Sequence, residues 1–310
     1  MSDVQLHNIV KTYNKGQVKA VNDVSFAVEK GELFGLIGPD GAGKTSIFRV
    51  LTTLLVPDSG TATVNGLDVI KDYKVIRKHV GYMPGKFSLY QDLTVEENLS
   101  FFATVFHTTI EENYDLIRDI YEQIKPFSNR PAGKLSGGMK QKLALCCALI
   151  HKPKVLLLDE PTTGVDVVSR KEFWDMLKRL KEQGISILVS TPYMDEASLC
   201  DRIALIQNGN IMSVDTPQNI IDSFPSALFA ARANDIYKLL KDFRVDPAVD
   251  SCYAFGEYLH LTLHDSKNSD RIFQELEYKY QPQGFEVKRI TPTIEDSFIR
   301  LMRETEKLPV

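Results

Sequence analysis

Long apolar stretches are missing from this sequence. No run within its 310 residues approaches the roughly 20 apolar residues that a helix needs to cross a bilayer. The opening Met1-Ser2-Asp3 does not begin a signal peptide. We therefore expect any role at a membrane to be peripheral and cytoplasmic, with the membrane-spanning part supplied by another chain.

Cysteine and net charge are also low. The four cysteines, Cys146, Cys147, Cys200 and Cys252, show no Cys-x-x-Cys spacing, which argues against zinc modules and disulfide scaffolds. We expect them to be reduced thiols inside a core. A net charge of -4 gives no electrostatic footprint for nucleic acid, so nucleic acid is not an expected partner. With 43% hydrophobic residues, the chain can form one large domain plus a small one.

The most specific feature that is present is a glycine-rich loop. It follows an apolar run over residues 28–37, interrupted by a turn at Gly31, and it precedes helix-like apolar spacing over residues 45–55. Strand, loop and helix in this order are the context of a phosphate-binding loop. The candidate binding residues are Gly38, Pro39, Asp40, Gly41, Ala42, Gly43, Lys44, Thr45 and Ser46.

The residue types in this loop suit ATP and Mg²⁺. Its glycines allow successive backbone N–H groups to point into one concavity at a helix N-terminus, where the helix dipole favours an anion. Lys44 adds an ammonium group for the β and γ phosphates, and the Thr45 hydroxyl suits Mg²⁺. Asp40 fits less easily, because a carboxylate beside phosphates repels them unless it points away or meets a cation. A flexible glycine turn is the alternative interpretation.

A pair of acids follows another apolar run. Residues 155–158 are wholly apolar, as in a strand buried on both faces, and Asp159 and Glu160 come where that strand would leave the carboxyl edge of a sheet. Asp159 suits a water-mediated Mg²⁺ ligand. Glu160 suits the general base that polarises the attacking water, a role worth about 10²–10⁴-fold in rate. We predict that Glu160 is the catalytic residue.

A third motif lies between these two. Residues Leu135 to Met139 read Leu-Ser-Gly-Gly-Met and open an amphipathic helix that reaches about residue 150, which makes a second anion-binding helix terminus. With the phosphate loop before it and the acids after it, this motif resembles the signature loop of ABC transporter ATP-binding subunits. Met139 departs from the glutamine that is usual there. The resemblance covers residues 4–224.

The resemblance implies a fold, an activity and partners. The fold is α/β, a P-loop NTPase mixed sheet with a helical subdomain at about residues 86–150, within a nucleotide-binding domain over residues 1–224. Inside that subdomain, Thr94 and Glu97 have the spacing of a capping box that opens a helix to about residue 106, and a second helical stretch covers about residues 110–125. The activity is ATP hydrolysis that drives a separate membrane permease. The second ATP-binding subunit forms a head-to-tail dimer, in which Ser136, Gly137 and Gly138 reach the γ-phosphate of ATP held by the partner.

Several single residues also match functional positions of the family. Tyr13 matches the aromatic residue that stacks on adenine, although packing is the alternative role for such a tyrosine. The segment from Pro161 to Asp166 lies where the D-loop of the family follows the catalytic glutamate, and Asp166 matches its aspartate. That loop touches the other subunit in the family. Phe87, Leu89 and Tyr90 lie where family members contact the permease, and an apolar loop packed on its own domain is the alternative.

Two positions depart from the family. Gly85 stands where the Q-loop carries a glutamine, and Pro192 stands where the switch region carries a histidine. Glycine offers only its backbone, and proline has neither a polar side chain nor an N–H. No histidine between His151 and His260 is available to substitute. We expect ATP binding to survive and hydrolysis in this chain's own site to fall by about 10²–10³-fold.

This expected loss leaves the partner open. A homodimer holds two impaired sites, whereas a heterodimer with a standard subunit holds one sound site that borrows the signature loop of this chain. The alternative function is a non-hydrolysing, nucleotide-gated partner that completes the active site of a second ATPase subunit.

After residue 224 the phosphate motifs end. Residues 225–310 alternate between strand-like and helix-like patterns, which predicts a small accessory α+β domain. The predicted strands cover residues 227–231, 258–263 and 285–290, and the predicted helices cover residues 235–243, 270–280 and 293–302. The segment from Pro292 to Phe298 resembles the closing segment of ATP-binding subunits from exporters, which favours an exporter over an importer.

Overall fold

The computed structural model describes residues 2–86, 88–265, 268–280 and 284–307, so the candidate Phe87 lies outside the described residues. The chain forms two units, residues 1–218 with 301–310 and residues 219–300. The strands of the first unit are β1 (Ser2–Tyr13), β2 (Val18–Glu29), β3 (Leu33–Ile37), β4 (Ser59–Val64), β5 (Leu67–Asp68), β6 (Val80–Met83), β7 (Val155–Asp159), β8 (Ser186–Thr191), β9 (Arg202–Gln207) and β10 (Asn210–Asp215).

The helices of the first unit follow the same chain order. They are α1 (Lys44–Leu51), α2 (Tyr73–His79), α3 (Val95–Val105), α4 (Tyr114–Ile124), α5 (Gly137–Leu149) and α6 (Val167–Glu182), with short 3-10 helices at Lys125–Phe127, Ala132–Lys134 and Met194–Leu199. Helix α7 (Pro217–Asp222) spans the division between the units.

A mixed six-stranded sheet forms the centre of the first unit. Its strand order is β10-β9-β3-β8-β7-β6, and all neighbours are parallel except β9 and β10. Every residue of β3, β7 and β8 is buried, because these parallel strands are covered on both faces. Such strands need a nearly continuous apolar run. The carboxyl ends are aligned, since Ile37 pairs with Thr191 and Asp159 pairs with Ser190. The predicted α/β fold with a mixed sheet is confirmed.

A second, antiparallel sheet has the order β2-β1-β4-β5. Its buried residues and those of the central sheet join the apolar side of α1 in one core cluster. The sequence predicted helical spacing to residue 55, but α1 ends at Leu51. The reason is Thr53, which adopts the left-handed region at φ 62° and so cannot continue a helix.

The helices α3, α4 and α5 form the helical part between β6 and β7. The predicted capping box is present, because the Glu97 amide donates to Thr94 Oγ1 at 3.2 Å and the Thr94 amide donates to Glu97 Oε2 at 2.8 Å. Helix α4 begins four residues later than the predicted residue 110. Before it, the Glu112 amide donates to Thr109 Oγ1 at 3.2 Å, and such local bonds compete with helix formation.

The second unit has the element order βαββαβ followed by a helix. Its elements are β11 (Leu228–Arg232), α8 (Ile236–Val245), β12 (Val249–Phe255), β13 (Tyr258–Leu263), α9 (Ser269–Tyr280), β14 (Glu286–Ile290) and α10 (Ile294–Lys307), the last of which extends into the first unit's residues. The antiparallel sheet order is β12-β13-β11-β14. Apolar residues from β11, β12, β13, α8 and α9 form the core of this unit. The predicted α+β character is confirmed.

Strand β12 was missed by the sequence prediction. Its residues from Asp250 to Ala254 do not alternate cleanly between apolar and polar. A signal was present, however, because Gly256 at φ 59° begins a two-residue turn between β12 and β13. A glycine in such a short connection indicates a hairpin.

Candidate functional site

The glycine-rich loop connects β3 to α1 in the predicted way. Gly41 and Gly43 adopt φ values of 79° and 103°, which side chains disfavour. An added Cβ at Gly43 would lie 2.1 Å from the Ala20 carbonyl oxygen, so only glycine allows the loop this close to β2. Helix α1 starts at Lys44 with no side-chain cap on its first turn. Its backbone N–H groups therefore suit an anion.

Lys44 joins this loop to the acid pair. It is only 3% exposed, and its Nζ donates to the carbonyl oxygens of Gly38 at 2.7 Å and Pro39 at 2.9 Å. The same Nζ lies 3.1 Å from Glu160 Oε1. The structure thus brings the predicted phosphate-binding cation and the predicted general base into direct contact.

The acid pair stands at the end of β7 and is held by the neighbouring strand β8. Asp159 is 2% exposed and accepts a hydrogen bond from Ser190 Oγ at 2.7 Å. The Glu160 amide donates to the same Ser190 hydroxyl at 2.9 Å, and Glu160 adopts a left-handed φ of 51°. Sequence reasoning missed Ser190. Its hydroxyl directly after the apolar run of residues 187–189, two residues before the switch position, was the available signal.

Gly85 and Pro192 both lie at this edge of the sheet. An added Cβ at Gly85 would lie 3.0 Å from the Asp159 carbonyl oxygen and 3.8 Å from Glu160 Cβ. Pro192 follows Thr191, whose carbonyl oxygen accepts a hydrogen bond from the Gly38 amide at 3.3 Å. The two positions therefore adjoin the acid pair and the phosphate loop, and neither side chain can donate a hydrogen bond.

The remaining loop residues and Tyr13 surround the first turn of α1. Tyr13 ends β1, and its hydroxyl lies 3.1 Å from Ser46 Oγ. Asp40 is exposed, so water solvates its carboxylate. Ala42 is 2% exposed, and Thr45 is half-buried beside Lys44. A tyrosine ring beside the phosphate helix suits the face of a nucleobase.

The signature and D-loop residues form a second group. Ser136 caps α5 by accepting from the Met139 amide at 3.4 Å, and Ser136 and Gly137 are exposed. Gly138 is buried, and an added Cβ there would lie 2.6 Å from Ser169 Oγ. Across the described ranges, no hydrogen bond joins Ser136, Gly137 or Gly138 to the phosphate loop.

Asp166 begins α6 beside this signature. It accepts from the Ser169 amide at 3.0 Å, and that hydrogen bond lowers the pKa of the exposed carboxyl. An added Cβ at Gly137 would lie 3.3 Å from the carbonyl oxygen of Gly164 in the D-loop. The signature and the D-loop are therefore in contact within one chain.

A cavity of about 300 Å³ lies between β6 and the helical part, next to Gly85. Leu89 lines it and is buried, whereas Tyr90 is exposed and contacts the edge of Phe101 with ring centroids 4.8 Å apart. His151, at the far side, stacks on Phe106 and bonds through Nε2 to the Val80 carbonyl oxygen at 3.2 Å. Burial lowers the pKa of His151 to about 4.

A phosphate loop and an acid pair at one edge of a mixed sheet define a nucleotide-binding protein of the P-loop class. A family model described as ABC transporter matches residues 21–163. The probable multidrug ABC transporter ATP-binding protein YbhF of Escherichia coli is 38% identical over 96% of this chain, but the chain spans only 52% of that relative. The Nod factor export ATP-binding protein I of a Rhizobium species is 33% identical over 98% of both chains.

Solved structures agree with these relatives. A dimeric, post-hydrolysis structure of the ATP-binding cassette MJ0796 with ADP and Pi has a TM-score of 0.62 and 25% identity, over 69% of this chain and 98% of that one. The chain belongs to the family of ABC transporter ATP-binding proteins. Within the described parts of the chain, every helix is too short or too polar to span a bilayer.

Proposed function

We propose that this chain is the ATP-binding subunit of an ABC exporter. It binds Mg-ATP at the cytoplasmic face of a membrane, closes on a second ATP-binding subunit and drives a separate permease. The observation that carries the proposal is the buried Lys44, held between the phosphate loop and Glu160 at 3.1 Å. Relatives whose names specify multidrug transport and Nod factor export support the exporter over an importer.

The residues present fit Mg-ATP. Loop amides and the Lys44 ammonium would hold the phosphates, and the Thr45 hydroxyl and the Asp159 carboxylate are hard oxygen ligands of the kind that Mg²⁺ prefers. Bound Mg²⁺ would offset the negative charge of the phosphates. Tyr13 would stack on adenine, while Ser136, Gly137, Gly138 and Asp166 would serve the nucleotide and loop of the second subunit.

Glu160 is the proposed general base. In the described contacts its carboxylate is paired with Lys44, and a γ-phosphate bound to Lys44 would compete with it for the ammonium. The freed carboxylate then faces the attacking water. Because Gly85 and Pro192 supply no side-chain donor at this edge, no side chain from those positions stabilises the developing charge, and we infer slow turnover at this site.

The purified chain provides the test. We expect calorimetric titration to give saturable Mg-ATP binding, with phosphate release that stays slow and rises when the chain is combined with its permease. Glu160→Gln should leave binding intact while removing any residual phosphate release. Absence of saturable binding would contradict the nucleotide-binding role, and a permease without effect on turnover would contradict the transport role.

The missing donors at Gly85 and Pro192 favour one second candidate. In it, the chain binds nucleotide without hydrolysing it and completes the sound site of a different ATPase subunit. In a complex purified with both subunits, Glu160→Gln in this chain should then leave turnover unchanged, whereas Gly138→Asp should abolish it. A homodimer predicts the opposite result for Glu160→Gln, because every site would then lose its base.

The cavity beside Gly85 is our proposed permease contact. Its apolar wall near Leu89 and the exposed Tyr90 suit a helix from the membrane subunit. Tyr90→Ala should reduce stimulation by the permease while leaving Mg-ATP affinity unchanged. Stimulation that survives this change would argue that Leu89 and Tyr90 only pack within their own unit.

A further inference from the structure

One carboxylate outside the phosphate loop holds the end of β1. Asp58 Oδ2 accepts hydrogen bonds from the Thr12 amide and the Thr12 hydroxyl, both at 2.7 Å. Asp58 Oδ1 accepts from Lys11 Nζ at 2.6 Å. The Asp58 amide also donates to the Val10 carbonyl oxygen at 2.8 Å. A single side chain thus fixes the two residues that immediately precede Tyr13.

The backbone pairing along this segment is irregular. The pairing of β1 with β2 is irregular between Ile9 and Lys11 and again between Lys11 and Thr12. Pairing with β4 is irregular between His7 and Val10. Such irregularities leave ladder hydrogen bonds locally disrupted. Thr12 still pairs with Lys19 and Tyr13 with Val18, and the bonds to Asp58 add side-chain restraint to this irregular part of the strand.

The chain reverses direction directly after Tyr13. Asn14 and Lys15 adopt left-handed φ values of 51° and 55°, and the Gly16 amide donates to the Tyr13 carbonyl oxygen at 3.1 Å. Tyr13 is therefore held from one side by this turn and from the other by Lys11 and Thr12. Its hydroxyl lies 3.1 Å from Ser46 Oγ, two residues after Lys44.

Asp58 remains charged across the physiological range. Its hydrogen bond from Lys11, followed by those from Thr12, lowers its pKa to about 2. The carboxylate can therefore accept all of its bonds at neutral pH.

We propose that Asp58 is the positioning residue for the nucleobase. By holding Lys11 and Thr12, it sets the place at which the Tyr13 ring meets adenine, at a fixed separation from the phosphate helix. The inference rests on the proposed function, in which Tyr13 stacks on the adenine of ATP. Asp58 itself touches neither the base nor the phosphates in this account.

The test compares a ligand that has a base with one that has none. Affinities for Mg-ATP and for Mg-tripolyphosphate are measured by calorimetry for the unaltered chain and for Asp58→Ala. We expect Mg-ATP binding to weaken about 5-fold or more, since base–aromatic stacking contributes roughly 1–3 kcal/mol, which corresponds to about 5–150-fold in affinity. Tripolyphosphate affinity should stay within about 2-fold, because the phosphate loop is untouched.

Three controls keep the test specific. Asp68→Ala removes a carboxylate that likewise accepts from two backbone amides, those of Ile70 and Lys71, and it should change neither affinity. Asp58→Asn keeps an acceptor for the Thr12 amide and should recover most of the Mg-ATP affinity. In a Tyr13→Ala background, Asp58→Ala should have no further effect on Mg-ATP binding.

The outcomes are distinguishable. Equal weakening of both ligands, or an effect of Asp58→Ala that adds fully to Tyr13→Ala, would overturn the positioning role while leaving the proposed function in place. Absence of Mg-ATP binding by the unaltered chain would overturn both. Thermal unfolding of each variant separates a loss of fold from a loss of positioning. If Asp58→Ala does not fold, Thr12→Val, which removes the hydroxyl that donates to Asp58 Oδ2, takes its place in the comparison of the two ligands and should weaken Mg-ATP binding alone.

Discussion

Neighbouring strands of the central sheet end in chemically different ways. Strand β3 leads into the phosphate loop with Lys44, and β7 ends in Asp159 and Glu160. Between and beside them, β8 leads to Pro192 and β6 leads to Gly85. The groups proposed to bind ground-state ATP are all present, whereas the two positions proposed to donate to the transition state carry no side-chain donor. Binding and turnover can therefore be lost separately.

The backbone at both kinds of strand end is in place. Met83 pairs with Leu158, Asp159 with Ser190, and Ile37 with Thr191, so the four strands keep one aligned edge. The two kinds of strand end therefore differ in the residues that they carry and not in the alignment of the strands. Substitutions at single positions should therefore remove ATP binding or restore ATP hydrolysis.

Lys44→Ala should disrupt the strand end proposed to bind ATP, and its effect on Mg-ATP affinity is the largest that we expect. Removing one partner of a buried charge pair costs about 4 kcal/mol, which corresponds to roughly 10³-fold weaker Mg-ATP binding. Calorimetric titration measures it, and the exposed Lys30→Ala serves as the control for a lost charge. Unchanged affinity in Lys44→Ala would show that the loop is not the phosphate site.

Pro192→His combined with Gly85→Gln should restore the side-chain donors that are missing at the ends of β8 and β6. We expect phosphate release by the dimer to rise about 10²-fold, because each change adds a donor at the strand end. Gly85→Gln alone should contribute less, since its Cβ must displace the Asp159 carbonyl oxygen, 3.0 Å away, by a few tenths of an ångström. Pro192→Ala is the control, and an equal rise there would assign the effect to backbone freedom rather than to the imidazole.

His151, which bonds to the first residue of β6, should make the stability of the fold depend on pH. Burial lowers its pKa to about 4 in the folded chain, from an ordinary value of 6.5 in the unfolded chain. Between these values the unfolded chain binds the additional proton, so stability is complete above pH 6.5 and falls as the pH drops towards 4. The loss should reach at most about 3 kcal/mol.

Urea unfolding at pH 7 and pH 5 measures this loss. His151→Gln should lose less stability on acidification than the unaltered chain, whereas the exposed His7→Gln should follow the unaltered chain. Identical pH dependence in all three proteins would show that His151 is protonated normally in the fold.

Ser190→Ala should give the smallest effect. It tests the hydrogen bond between β8, which leads to Pro192, and β7, which leads to the acid pair. Without the hydroxyl, Asp159 loses its 2.7 Å hydrogen bond and its fixed orientation. Groups that orient metal ligands typically contribute 10–100-fold in metal affinity, and we expect about a 10-fold rise in half-saturating Mg²⁺ for nucleotide binding. Ser186→Ala, at the other end of β8, should not change it. A similar shift in both variants would point to general loosening of the strand.

Sequence patterns predicted the elements whose signal is local. The continuous apolar runs of β3 and β7, the glycines between β3 and α1, and the Thr94–Glu97 capping box each carry their physical reason within a few residues. The predicted helix start at residue 110 and the missed β12 failed where turn chemistry or an irregular polar pattern outweighed periodicity.

Contacts between distant positions could not be predicted in this way. Ser190 reaches Asp159 only because β7 and β8 pair in a particular register, and Asp58 reaches Lys11 and Thr12 across 47 and 46 residues of sequence. No local pattern encodes either contact. The predicted domain boundary after residue 224 and the division at residues 218–219 differ by the length of one short helix, and the functional boundary stays a prediction.

The packing of Gly137 against Gly164 has a consequence for the proposed dimer. The signature that would grip a partner's triphosphate touches the loop that starts one residue after this chain's own Glu160. Nucleotide bound in the partner's site would thus affect the nucleotide site of this chain through the van der Waals contact between the signature and the D-loop. Thermodynamic linkage makes such communication mutual for binding, so each triphosphate would change the affinity for the other by the same factor.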